Sequence, residues 1–186
     1  MHLRYAGLRL PRIALAFLIA LGVLLGGFQL WQLHRVDRPL VAAVSSVAGV
    51  GAVHLKEAGD QPLQVVVELG MVDDLRTTYL DIEDAARRVL GARPFTLEVS
   101  GTADPALDED FRPVRLAVAE GVETGRYTAM AREVADIAAG AGARGKVDVD
   151  GRFVFVQFDR GGFAVYEVVP RQSTAPGVGP EGGGSA

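Results

Sequence analysis

Residues 140–147 read GAGARGKV. Gly140, Gly142 and Gly145 satisfy G-x-G-x-x-G, the glycine pattern of dinucleotide-binding folds. Gly140, Gly145 and Lys146 satisfy the phosphate-loop pattern except for its last letter, which is Val147 instead of Ser or Thr. The fold class turns on this stretch, because a true phosphate cradle would imply a doubly wound α/β protein. Both phosphate motifs leave a strand and open a helix, so that free N–H groups and the positive dipole end meet the anion. GAGARGKV runs the other way. It leaves the helical pattern of REVADIAA and enters KVDVD, which alternates as a strand does. Its N–H groups follow a helix C-terminus, whose partial charge repels phosphate. The stretch reads as a glycine-rich helix stop, nucleotide is set aside as a partner, and Lys146→Ala is expected to leave folding almost untouched.

Downstream the pattern is β. KVDVDGRFVFVQFDRGGFAVYEVVP alternates strongly, with hairpin signals at Asp150-Gly151 and Gly161-Gly162. Asp148 and Asp150 share a strand face in this reading, which a solvated surface explains, and no metal or cofactor site is assigned. Phe155 is placed in the core.

Upstream, Tyr127, Met130, Val134 and Ile137 fall on one helix face, with Thr124 as its cap and Glu120–Gly125 as a joint. In residues 105–120, Leu107, Phe111, Val114 and Val118 have helical spacing, whereas Pro113 interrupts it and Val114, Leu116 and Val118 alternate. The length favours helix. Earlier still, Leu40, Val41, Val44 and Val47 predict a short helix. Residues 51–57 and 62–69 read as strands, and Leu75, Tyr79, Ile82, Ala86 and Val89 mark a second helix. Asp73 and Asp74 favour that helix's start, Arg87 and Arg88 suit its last turn, and Gly91 closes it. PFTLEV at 94–99 is a third strand. The order is α-β-β-α-β, then helices, then a C-terminal antiparallel meander.

Ile13 to Phe28 contains no polar side chain, and the apolar character continues to Leu33. Residues 13–33 would span roughly 31 Å as a helix, matching a bilayer's hydrocarbon core. The sequence thus predicts an α+β protein with an N-terminal transmembrane helix and an exported α/β domain. The parts are a basic leader (1–12), a span (13–33), an α-β-β-α-β module (38–100), helices plus hairpins packed on it (101–171) and a disordered tail (172–186). No small-x-small site follows the span at signal-peptide distance, so an uncleaved anchor is expected. Arg4, Arg9 and Arg12 precede the span against Arg35 and Arg38 after it, which predicts a cytoplasmic N-terminus and an extracytoplasmic C-terminal domain. Gly22 and Gly26 form a G-x-x-x-G, the candidate helix–helix contact in the membrane.

Of 19 basic residues, the 16 beyond the span face 23 acidic ones, a net of −7. That balance argues against nucleic acid. Without cysteine there is no disulfide or thiolate chemistry. His54 is the sole histidine beyond the membrane-flanking His2 and His34. The carboxylate pairs Asp73/Asp74, Asp108/Asp110 and Glu120/Glu123 sit at expected helix starts or joints, where capping explains them. No catalytic residues are assigned, and a non-enzymatic protein is expected.

The run LVAAVSSVAGVGAVHL, a valine strand, an amphipathic helix and a further strand resemble the α-β-β-α-β modules of anchored bacterial envelope proteins. The arrangement is similar to ring-building modules of sporulation and secretion complexes and to BON domains. The likeness covers residues 38–100, carries over no functional residues, and implies a scaffold or assembly role through protein partners or self-association. A membrane-anchored domain that binds a small ligand is the alternative. An exposed apolar patch or open sheet edge would favour the first; a deep apolar pocket with convergent polar groups would favour the second.

Overall fold

Leu40 and Val44, one helical turn apart and both fully buried, fix helix α1 (residues 37–45) to the domain. The computed structural model describes residues 37–171 apart from 58, 60, 103 and 104. The expected leader, the expected span with Gly22 and Gly26, and the expected tail lie outside the described residues. Among the described residues, no helix is long and apolar enough to cross a membrane.

The domain is α+β, with four helices and two three-stranded sheets among the described residues. Strands β1 (Val50–Lys56) and β2 (Leu63–Leu69) are antiparallel. Helix α2 (Leu75–Leu90) then returns the chain, so that β3 (Phe95–Gly101) pairs with β2 in parallel. The expected order to residue 100 holds. Asp74 caps α2 by accepting from Thr77 N–H at 2.7 Å, and Gly91 closes it by donating to the Arg87 carbonyl at 2.8 Å. Alternation along β2 buries Leu63, Val65, Val67 and Leu69 against α1 and α2.

Helix α3 (Pro105–Thr124) continues through Pro113. Its apolar face of Leu107, Phe111, Val114, Ala117 and Val118 is buried, which outweighs one lost hydrogen bond on an exposed side. Leu116, which a strand would have turned inward with Val114 and Val118, is 73% exposed. The joint expected at Glu120–Gly125 is a correction: residues 120–124 are helical. Thr124 ends α3 by donating back to the Glu120 carbonyl at 2.7 Å, and α4 (Tyr127–Gly140) starts after Arg126 without a side-chain cap. Gly121, read as part of the joint, instead lets α3 approach α4: an added Cβ there would lie 2.5 Å from the Met130 sulfur.

Strands β4 (Arg144–Val149), β5 (Phe153–Arg160) and β6 (Phe163–Pro170) form the expected meander. The central strand is covered on both faces. Val154, Val156 and Phe158 pack with α3 and α4, whereas Phe155 joins the cluster of the first sheet, α1 and α2. The two sheets meet where the end of β3 lies beside the start of β6, with Ala164 N–H donating to the Thr102 carbonyl at 3.2 Å. Gly101 is pressed so closely against the Ala164 carbonyl that a side chain has no room. Across this seam Tyr166 donates to the Gly70 carbonyl at 2.9 Å and accepts from Val72 N–H at 3.0 Å. Buried Gln157 donates to the Val72 carbonyl at 2.8 Å.

Candidate functional site

GAGARGKV leaves α4 and enters β4, the direction read from the sequence. Gly142 has φ +64°, where a side chain is strained, and its N–H donates to the Ala139 carbonyl at 3.1 Å while Ala143 N–H reaches Ala138 at 2.8 Å. These bonds close the helix in the Schellman manner. Gly145 permits close packing of β4 on α4: a Cβ would lie 2.9 Å from both the Val134 carbonyl oxygen and the Ala138 Cβ. Lys146 has partners that its sequence context does not announce. Its ammonium contacts Asp74 at 2.5 Å and Asp148 at 3.1 Å, linking β4 to the cap of α2. Asp150 leaves the strand face assigned to it. It lies beyond β4 and accepts from the N–H groups of Arg152 and Phe153, each at 2.7 Å. Of the remaining acidic residues, Asp108 meets Arg115 at 2.9 Å and Asp110 meets Arg160 at 2.6 Å.

A site without a sequence motif forms around Glu83, on the buried face of α2. Glu83 is 8% exposed. Arg152, from the β4–β5 hairpin, donates to both carboxylate oxygens at 2.9 and 2.6 Å, and Arg87 donates to one at 2.7 Å. These groups line a cleft of about 350 Å³ with Phe95, Phe153, Val168 and Pro170. The sequence signal was the spacing of Glu83 and Arg87, one turn apart on α2. The third partner, Arg152, is remote in sequence and carried no such signal.

Arg152 first, then Arg87, hold the Glu83 carboxyl down to about 2, against burial, which raises it. Lys146 holds the Asp74 carboxyl down to about 2 as well. Ordinary values for these groups are 4.5 and 3.8. Because folding lowers both, their stabilisation is complete above about pH 5 and is lost as pH falls through 4.5 towards 2. The melting temperature should therefore drop steeply across that window. Glu83→Gln should lower stability at neutral pH by at most about 3 kcal/mol, less whatever solvent screens at the half-exposed arginines, and should flatten the acid slope. An identical slope in both proteins would show that this carboxylate does not contribute to acid unfolding.

The second feature is an edge. β1 pairs only with β2: Val50 N–H at its start donates to the Val47 carbonyl at 3.3 Å, and from Gly51 to Lys56 no further strand lies on its outer edge among the described residues. The sheet face beside it, with His54, Lys56, Val66, Glu68 and Glu98, is exposed or half-buried, and Gln64 donates to Glu98 at 2.8 Å. An edge of this kind can accept a further strand. A register shift between Val50 and Ala52 and the charge of Lys56 limit how it pairs. Comparison of the chain with protein-family models, curated proteins and solved structures gives no match.

Proposed function

We propose that the chain is a single-pass, membrane-anchored envelope protein without enzymatic activity. Its N-terminus is cytoplasmic, and its outer α+β domain docks a protein strand, from a partner or a second copy, on the edge of β1. The observation that carries this reading is the unpaired outer edge of β1 among the described residues. The apolar stretch 13–33 supports the anchor, and the absence of catalytic motifs in the sequence supports a binding role. Gly22 and Gly26 give a second route to self-association within the bilayer.

Neighbouring strand residues point their N–H groups to opposite sides, so one of Val53 and His54 faces β2 and the other faces outward. Proline at the inward position should unfold the first sheet. Proline at the outward position should leave the melting temperature within a few degrees and abolish strand docking, read by crosslinking of the full chain in membranes. Undiminished crosslinking in the outward variant would eliminate the edge. Loss of crosslinking in Gly22→Leu/Gly26→Leu alone would move the contact into the span. A monomer in every case would leave the ligand-binding alternative, which the Glu83 cleft favours.

A further inference from the structure

The cleft around Glu83 has unused capacity. A guanidinium carries five N–H donors, and Glu83 meets two from Arg152 and one from Arg87. Both side chains remain half exposed, at 51% and 57%. Each cation nevertheless lies over a ring, Arg152 over Phe153 at 5.1 Å and Arg87 over Phe95 at 5.5 Å. The carboxylate anchors the two groups and the rings limit their freedom, so little ordering remains for a ligand to impose. Among the residues that line the cleft, one carboxylate faces two cations. Asp150 lies outside that lining; one of its oxygens accepts two backbone N–H groups of its own hairpin, and its charge also acts on Arg152. Beside the cations, Leu97, Val168 and Pro170 supply an apolar wall.

We infer that this cleft binds an organic oxyanion with an apolar tail, its phosphate or carboxylate on the free donors of Arg87 and Arg152 and its tail along Leu97, Val168 and Pro170. Charge-assisted bonds to a planar guanidinium suit an oxyanion better than any neutral head. The position of the cleft bears on the source. Asp37, where α1 begins, feels the charges of Glu57 and Arg93, and Arg93 pairs with Glu57 at 2.7 Å, two residues before Phe95 of the cleft. The chain therefore enters the domain at the end of the first sheet where β3 begins, the end that carries Phe95 of the cleft. Leu33, the last residue of the apolar stretch, precedes Asp37 by four residues, a reach of at most roughly 14 Å. An anionic phospholipid is the source on the anchored reading and a soluble amphiphile is the other; the site itself does not depend on that reading.

The test titrates the full chain in nanodiscs of zwitterionic lipid with dihexanoyl phosphatidylglycerol below its micellar concentration, observing arginine side-chain signals by NMR. Saturable binding, weakened about tenfold or more by Arg87→Gln, is expected, since losing one charged partner is worth at least about that factor. Arg87 supplies one of the three bonds to Glu83 and Arg152 keeps the other two, so the variant should lose a few degrees of melting temperature and stay folded. Arg88→Gln, which alters a neighbouring groove, should bind as the wild type does. Inorganic phosphate and dihexanoyl phosphatidylcholine should each bind more weakly, lacking the tail and the net charge respectively. Octanoate that binds through Arg87 where the phospholipid does not would make the source soluble. Equal affinity in wild type and Arg87→Gln, or no saturation by any anion, would overturn the proposal. A chain that stays outside the nanodiscs would remove the anchor while the titration still reports on the cleft.

Discussion

Phe155→Ala is expected to destabilise the domain by about 3–5 kcal/mol, the range for emptying a fully buried aromatic site. Phe155 is 1% exposed, and its ring meets Tyr79 edge to face at 5.5 Å and Phe153 at 6.1 Å. The space left behind cannot close easily. β5 is held on its other face by Val154, Val156 and Phe158 against α3 and α4, so the strand cannot move into the gap without opening a second one. Tyr79→Ala should cost a comparable amount. The double variant should cost less than the sum, because the two rings share a contact. Denaturant unfolding of the three variants checks this. Strict additivity would mean that the rings do not support one another, and a wild-type midpoint for Phe155→Ala would contradict the packing.

Gly145→Val should be at least as damaging, by about 3 kcal/mol or more, although it adds apolar atoms to a half-buried strand. A Cβ at this position meets the Val134 carbonyl oxygen at 2.9 Å, and a backbone atom inside α4 cannot swing aside as a side chain can. Valine adds two methyl groups beyond that Cβ. The helix must then lift from β4, exposing Val134 and Ala138, both buried in the second cluster. Gly140→Ala is the matched comparison from the same motif. Its added methyl meets nothing within 4 Å, and alanine suits a helix better than glycine, so it should be neutral or slightly stabilising. Thermal unfolding that ranks these two variants in the opposite order would refute the helix–strand account of the motif.

Elements with strong periodicity were legible in the sequence. The α2 face of Leu75, Tyr79 and Ile82 and the alternation of β5 each have one good burial solution, and Asp74 and Gly91 mark the ends of α2 with side-chain and backbone chemistry that acts locally. The extent of α3 was less legible, since glycine at 121 means a break when read along the chain and a close approach when read across helices. Features that depend on remote residues left no local trace. Glu83 in an otherwise apolar stripe looks like an exposed helix carboxylate until Arg152 arrives from the far hairpin. Gln157 alternates as a core residue would, yet its amide is used to hold the Val72 carbonyl across the seam. The Asp74 partner of Lys146 was hidden because it lies 72 residues away. The candidate cleft belongs to this class apart from the Glu83–Arg87 spacing on α2.

The seam between β3 and β6 has a consequence for how the chain matures. Ala164 and Tyr166 complete the cluster that Leu40, Val44 and β2 begin, so the part of this domain made first waits for its last described strand before the core can close. While the chain is still emerging from the ribosome, β1, β2 and α2 can associate only as an unfinished layer, with Gly70 and Val72 lacking the tyrosine that later satisfies them. Maturation is then a single late event instead of a stepwise one, and the interval before it is when the exposed apolar surface is open to chaperones and proteases.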